Sequence, residues 1–397
     1  MFNSSTSSKL VATKGNTSRA RRDRRTTRII TILSVSAGTV AIILLLCWRL
    51  GVVSTRSSSK SNGTIRGNSA SRASYDDYFQ PQECAVGLWN QDTHTLEVNP
   101  NCPASQKLLN MKPPPTDKTL TFFLIYFNDH HHLAHQLKSW ISYGQNVLDQ
   151  IQFVIVDDSS APGHTAAEFL QANINHNDSQ TIRTPLDIVI YKIDQNLMWN
   201  IGGARNLGFW MANTPWVFMS DTDTQVAPET MKYILEKVSS SAAITDTSSP
   251  AVYTFFQRQR DSGFKPHPAV MLIRKQDYWK VGGCDEDFVG SYGWTDPHFR
   301  YKVQEDPTLH AIKAHTEMDE LGITPLREMN DDIECPNGIV CLEKFHGEKA
   351  PKEPEKNEAK FKRKSQEGKW SNEVLRYTWK RVKWQQNSWW DFLLWWS

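Results

Sequence analysis

Residues 151–160 read IQFVIVDDSS, a short β-branched and aromatic run that stops at Asp157, Asp158, Ser159 and Ser160. Such a run is expected of a parallel strand buried on both faces. Working outward, residues 119–127 (TLTFFLIYF), 186–193 (LDIVIYKI) and 214–220 (TPWVFMS) have the same character. Helical patterns separate them. Leu137, Trp140, Ile141 and Val147 mark a crossover helix within His135 to Leu148, and residues 200–213 (NIGGARNLGFWMAN) start another. Strand and helix in alternation predict a doubly wound α/β fold, in which ligands bind beyond the carboxyl ends of the strands.

Acidic groups recur at those ends. Asp157 and Asp158 follow IQFVIV, and Asp221-Thr222-Asp223 follows WVFMS. Carboxylates spaced i and i+2 where the chain leaves a sheet can hold a divalent cation and a ribose or water. Oxygen ligands of this kind suit magnesium or manganese. The glycines of Asn200 to Gly208 do not form G-x-G-x-x-G and do not directly follow a strand, which excludes a nicotinamide dinucleotide site. A helix start with small residues, Arg205 and Asn206 suits a nucleotide's ribose or phosphates. Alternatively, Gly202 and Gly203 let the helix pack closely on the sheet. The cluster His130, His131, His132 and His135 has no nearby Cys, and consecutive histidines cannot all face one ion. It is expected as a loop after the first strand rather than a zinc site.

The net charge of +2 conceals an uneven distribution. Residues 1–28 hold eight basic side chains and one acid, residues 54–342 are acidic at −11, and residues 343–386 are basic at +6. An acidic body argues against nucleic acid as a partner. Residues 29–48 run for 20 residues without a charge, long enough at ~1.5 Å per residue to cross a hydrocarbon layer of roughly 30 Å. The preceding arginines place the N-terminus in the cytoplasm, which predicts a type II signal-anchor. A cleaved signal peptide or transit peptide is the alternative, disfavoured by the length of the run.

Residues 54–75 are Ser-, Gly- and Asn-rich and read as a flexible stem. Beyond the anchor, in an oxidising compartment, Cys84 is placed to pair with Cys102 and Cys335 with Cys341, leaving Cys284. Asn62 and Asn177 begin glycosylation acceptor tripeptides. Seven of the 15 tryptophans lie from Trp370 onward, interleaved with Lys and Arg as far as Lys383. That pattern suits either an interfacial membrane helix or a C-terminal helix docked on the body.

Taken in order, VIVDDSS, NIGGARNLG, WVFMSDTD, VMLIRKQDYWKVGGCDEDF and GSYGWTDPHF resemble a GT-A fold glycosyltransferase. The likeness is to the family 2 group and to the beta-1,4-galactosyltransferase and chondroitin-synthase-type enzymes. It covers about residues 119–346 and implies a mixed sheet flanked by helices; with the charge and hydropathy pattern this divides the chain into 1–28 (cytoplasmic tail), 29–48 (transmembrane anchor), 49–116 (stem), 117–346 (catalytic domain) and 347–397 (basic, Trp-rich tail). It further implies that Asp157 or Asp158 contacts the uracil of a UDP-sugar and that Asp221 and Asp223 bind ribose and metal, with His346 completing the metal site for Mn2+ or Mg2+. Asp285, Glu286 and Trp294 would face the acceptor, with Cys284 where the family carries an aromatic residue. Asp296 would be the catalytic base, with Thr295 replacing the acid that usually precedes it, so acceptor identity does not carry over.

The activity so implied is inverting, metal-dependent transfer of a hexose or N-acetylhexosamine to a hydroxyl of a glycan or glycoconjugate by a Golgi membrane glycoprotein. The competing readings are a non-catalytic sugar- or protein-binding module on the same scaffold and a sugar nucleotidyltransferase.

Overall fold

The computed structural model describes residues 84–111, 113–174, 186–239, 252–259, 263–310, 315–325 and 353–384. In chain order the strands are β1 (Gly87–Asn90), β2 (Thr95–Val98), β3 (Leu120–Tyr126), β4 (Ile151–Asp157), β5 (Ile188–Ile193), β6 (Trp216–Ser220), β7 (Thr224–Gln225), β8 (Val252–Gln259), β9 (Gly263–Arg274), β10 (His315–Pro325), β11 (Glu373–Val374) and β12 (Trp379–Val382). The longer helices are α1 (His130–Ile141), α2 (Ala166–Ile174), α3 (Ile201–Met211), α4 (Pro228–Ser239), α5 (Thr295–Glu305) and α6 (Pro354–Glu367).

The four strands expected from the sequence are β3 to β6, and they pair in parallel in the order β5-β4-β3-β6. The chain steps outward from β3 to β5, then returns to the other side of β3. The β3/β6 junction is therefore a topological switch point, where open α/β sheets bind ligands. In register, Tyr126 lies opposite Asp157 and Leu124 opposite Ser220, so both acidic segments leave the sheet at the same edge. Antiparallel pairing of β9 with β6 and of β12 with β5 makes the sheet mixed.

Alternation along β3 explains the uninterrupted apolar run. Phe122 and Leu124 pack with Phe153, Ile155, Leu133, Trp140, Leu170 and Ile234 under α1, α2 and α4. Phe123 and Ile125 face the opposite layer with Val154, Val156, Leu207, Phe299 and Tyr377. Both faces are covered, so neither needs polar side chains.

The first crossover helix begins at His130, five residues earlier than its apolar pattern suggested, so the histidine cluster is helical rather than a loop. Asp129 supplies the start: its side chain accepts from the His132 backbone N–H at 3.0 Å, a standard N-cap contact. Gly144, at φ 79°, separates α1 from a short turn of helix at Gln145–Leu148.

Cys84 and Cys102 form a disulfide, and Cys284 is a free, buried thiol. Residues 84–111, expected within the stem, fold into the β1–β2 hairpin and a short helix. Residues 353–384, expected as a tail, supply α6 and two strands that complete both sheets. Over residues 370–384 the chain forms short strands and turns rather than a helix, and Trp384 donates through its indole N–H to the Ile188 carbonyl at 3.0 Å; residues 385–397 lie outside the described residues. The basic segment 1–28, the apolar run 29–48, Asn62, Asn177, Cys335, Cys341 and His346 lie outside the described residues. No helix among the described residues is long and apolar enough to cross a membrane.

Candidate active site at the sheet's switch point

Each predicted segment is positioned by a local reason. β6 ends at Ser220, and the following turn closes when the Thr224 N–H donates to the Asp221 carbonyl at 3.2 Å. Gln136 on α1 donates to the carbonyls of Thr222 and Thr224, each at 2.7 Å, while the Thr222 hydroxyl donates to Ile125 at 3.0 Å. The Asp-x-Asp turn is thus held from α1 and from β3, and Asp223 is left exposed with no side-chain partner among the described residues. Gln136 was not singled out from sequence. Its one available signal was a polar residue between Leu133, Leu137 and Trp140 on the buried face of α1.

Arg205, buried on α3, links two of the predicted acids. One guanidinium nitrogen is ion-paired with Asp296 Oδ1 and the other lies 3.7 Å from Asp221 Oδ1. Burial works against the arginine's charge, but Asp296 and Asp221 raise its pKa overall. Burial raises the Asp221 pKa even though 35% of its side chain reaches solvent; Arg205 lowers it, and the Asp223 and Asp296 carboxylates raise it further. Asp296 and Asp221 flank the single Arg205 guanidinium and Asp223 lies beside Asp221, which leaves an excess of negative charge.

That excess suits a divalent cation. Asp221 and Asp223 would hold it, leaving other positions to water and to phosphate oxygens, the way magnesium-type sites are often built. Among the described residues no three His, Cys, Asp or Glu side chains converge as a metal site.

The acids after β4 are placed differently. Asp157 is fully buried, and its oxygens accept from the N–H groups of Ser160 at 2.8 Å and Ala166 at 3.0 Å, tying down the loop and the start of α2. Asp158 is also buried and accepts from the Asn200 amide at 3.1 Å. Burial raises its pKa well above the usual carboxylate range, with Asn200 lowering and Asp157 raising it in smaller measure.

Asn206, Asp285 and Glu286 are not brought to the Arg205 cluster. Asn206 donates to the Cys284 carbonyl at 2.9 Å and to Glu286 at 2.7 Å, and accepts from Tyr278 at 2.6 Å. Glu286 also accepts from the N–H groups of Leu375 and Arg376, at 2.7 and 3.0 Å. Asp285 pairs with Lys364 at 2.8 Å and accepts from the Ser371 N–H at 3.2 Å. The Gly-Gly-Cys-Asp-Glu-Asp turn is thereby fastened to α6 and β11, and Asp287 joins it through Lys364 at 2.7 Å and Arg376 at 2.6 Å.

The loop from that turn to Asp296 is held by one side chain that sequence reasoning missed. The Asn357 amide on α6 donates to the carbonyls of Phe288, Ser291 and Gly293 at 3.0, 2.7 and 2.9 Å. Trp294 follows at φ 66°, a left-handed conformation that bulky residues rarely adopt, with its ring 5.1 Å from Phe361. Tyr292, 40% exposed, meets the buried Trp199 edge to face at 5.2 Å. This aromatic pair spans the segments carrying Asn200 and Asp296, and neither ring was anticipated.

The histidines split, with His131 meeting His135 at 5.1 Å while the other two turn to different partners. His130 stacks between His164 and Phe169, at 5.4 and 5.1 Å, whereas His132 Nδ1 pairs with Asp129 at 2.6 Å.

No curated protein matches the chain. Similar solved structures include S. aureus TarS in complex with UDP-GlcNAc (13% identity, 52% of this chain and 58% of that one, TM-score 0.39). Another is the Pyrobaculum calidifontis mannosyltransferase PcManGT with GDP-Man and Mn2+ (15% identity, 55% and 59%, TM-score 0.38). The chain spans less than two thirds of the length of either. Residues 123–291, from within β3 to the loop before Asp296, match the family described as Glycosyl transferase family 2.

Proposed function

We propose that this chain is a type II Golgi membrane glycosyltransferase that moves a sugar from a UDP donor to a hydroxyl of a glycan or glycoconjugate, with inversion and with Mn2+ or Mg2+. The observation that carries the reading is the Arg205 clamp, which joins the Asp-x-Asp acid Asp221 to Asp296 beside the switch point of the sheet. The family match over residues 123–291 supports the reaction class. The basic flank and apolar run of residues 1–48 support the anchor.

In this mechanism Asp296 has one oxygen on Arg205 and the other open to an acceptor hydroxyl. Asp296 takes the hydroxyl proton as the acceptor oxygen bonds to the anomeric carbon. The bond from that carbon to the diphosphate breaks on the opposite face, and its electron pair leaves on UDP. General-base help of this kind contributes about 10²–10⁴ in rate. A divalent cation held by Asp221 and Asp223 would supply electrostatic stabilisation of the departing diphosphate. Arg205 keeps the donor-side and acceptor-side acids in register, and the Asn357-stapled loop sets the position of Asp296.

Two observations favour a non-catalytic module: Asp296 is already ion-paired, and Thr295 stands where an acid is expected. A single experiment separates the readings. The full-length chain in detergent is incubated with Mn2+ and a panel of UDP-sugars, and UDP, pyrophosphate and transferred sugar are measured. Transfer that Asp296→Asn reduces at least 100-fold with UDP binding intact supports the proposal. Pyrophosphate release in a parallel incubation with UTP and sugar 1-phosphates would indicate a nucleotidyltransferase, and UDP binding without turnover a binding module.

A further inference from the structure

Away from the Arg205 cluster, a cavity of about 500 Å³ opens between the β1–β2 hairpin and residues 370–372, lined by Leu88, Trp89, Asn90, Gln91, Glu97, Trp370 and Asn372. We propose that it is a carbohydrate subsite that takes one or two sugar units of a glycan. A sugar ring presents an apolar C–H face and a rim of hydroxyls. It is recognised by aromatic planes to lie against, and by amides and carboxylates to bond the rim.

The cavity offers that combination. Its volume falls within the range of small-ligand sites, which pair an apolar wall with a few fixed polar groups. Glu97 is its one charged lining residue, and no Lys or Arg lines it, so nothing there would meet a phosphate.

The two tryptophans are held in place before any ligand arrives. The Trp89 indole N–H donates to the Trp279 carbonyl at 2.7 Å and its backbone N–H to Asn372 at 2.7 Å. Gly282, at φ 72°, packs so closely that a Cβ there would sit 2.7 Å from the Trp89 ring. Trp370 is braced edge-on by His298 and Tyr301, at 5.3 and 6.0 Å. Asn90 and Glu97 are joined at 2.8 Å, which orients that carboxylate. The Gln91 and Asn372 side chains are exposed and have no side-chain partner among the described residues, so their amides are available to a ligand. A rigid aromatic wall with unengaged amides loses little freedom on binding, which favours affinity from few contacts.

The location gives the subsite a use. His298, which braces Trp370, stands two residues beyond Asp296 on α5, and Gly282 begins the turn that leads into the acceptor loop. A glycan lying against the half-buried Trp370, with the buried Trp89 as the floor beneath it, would rest on a ring braced by His298 of the helix that carries Asp296. Its role as an extended acceptor rests on the transferase reading, whereas carbohydrate retention itself does not.

The test uses the full-length chain in detergent on an array of printed, phosphate-free oligosaccharides, with UDP binding measured in parallel by calorimetry in Mn2+. The expected result is retention of at least one glycan class, weakened tenfold or more by Gln91→Ala combined with Asn372→Ala, with UDP affinity unchanged. Glycan retention that depends on these amides upholds the subsite even if UDP does not bind, in which case only the transferase reading falls. Two outcomes overturn the subsite: no glycan retained, or retention indifferent to the double substitution. Capture of peptides instead of glycans on a parallel peptide array, with the same dependence, would also overturn it.

Discussion

Arg205 and Asp296 lie 91 residues apart in the chain and meet as an ion pair at the sheet's carboxyl edge. Replacing the arginine by alanine leaves Asp221 and Asp296 without their cation. Because Asp221 and Asp296 are partly solvated, the expected loss of stability is moderate, about 1–3 kcal/mol. The freed carboxylates should bind Mn2+ at least as well as before, while UDP binding in Mn2+ weakens. Thermal melting and calorimetric titration with Mn2+ alone and then with UDP would check this. An unchanged melting temperature with unchanged UDP binding would remove Arg205 from the site.

Asn357 provides a second test, because three carbonyls of the loop before Asp296 depend on its single amide nitrogen. Asn357→Ala should cost about 1–3 kcal/mol through the acceptors left unsatisfied. Asn357→Asp keeps the size but loses the donor, so it should do no better. Hydrogen exchange should accelerate in residues 288–296 ahead of the rest of the domain. Uniform acceleration across the sheet would show that Asn357 supports the whole fold instead of this loop.

His298 predicts a pH dependence. It is fully buried, neither ring nitrogen has a hydrogen-bond partner among the described residues, and burial pushes its pKa down to about 3. Lys302 and Lys364 add to that fall, and Asp285 and Asp287 oppose it. The unfolded chain takes up the proton near pH 6.5 and the folded chain does not. The stability this site contributes is therefore full above about pH 6.5 and declines toward pH 3, by up to about 1.4 kcal/mol per pH unit. His298→Phe should flatten that part of the profile, since Phe288, Phe361 and Trp370 already surround the ring. Denaturant midpoints at pH 5 and pH 7 measure it, and equal pH slopes in both proteins would refute the assignment.

Gly208 tests how tightly α3 lies on the sheet. A Cβ at this position would fall 2.1 Å from the Phe123 ring, and Phe123 is itself buried in the central strand. Gly208→Ala should therefore destabilise the domain by about 1–3 kcal/mol through overpacking, despite alanine's better helix propensity. Chemical denaturation would decide it, with a stabilised variant showing that the helix can lift without cost.

The parallel strands were readable because each is covered on both faces and so is written as an unbroken apolar run. Asp221 was readable for a related reason, being a polar residue placed where such a run ends, and Arg205 because it is the one charge in a helix start of small residues. Asn206, Asp285 and Glu286 carry the right chemistry in the expected motif, yet their partners Leu375, Arg376 and Lys364 lie far along the chain in a segment whose composition resembles a tail. Non-local pairing of this kind leaves no periodic trace. Asn357 was hidden in the same way, as one amide within a run of lysines and glutamates. Asp129 is the opposite case: a capping residue directly ahead of the histidines, legible in the sequence but outweighed by a search for apolar spacing.

The last described segment has a consequence for how the molecule is made. β12 covers the edge of β5, β11 completes the small sheet, and α6 holds the loop that leads into Asp296. All three emerge from the ribosome after the central sheet has been synthesised. Until they do, β5 presents an open edge able to pair with another chain. Any truncation before Val382 should therefore accumulate as aggregate, and the loop leading into Asp296 is the last part of the site to be set during biosynthesis.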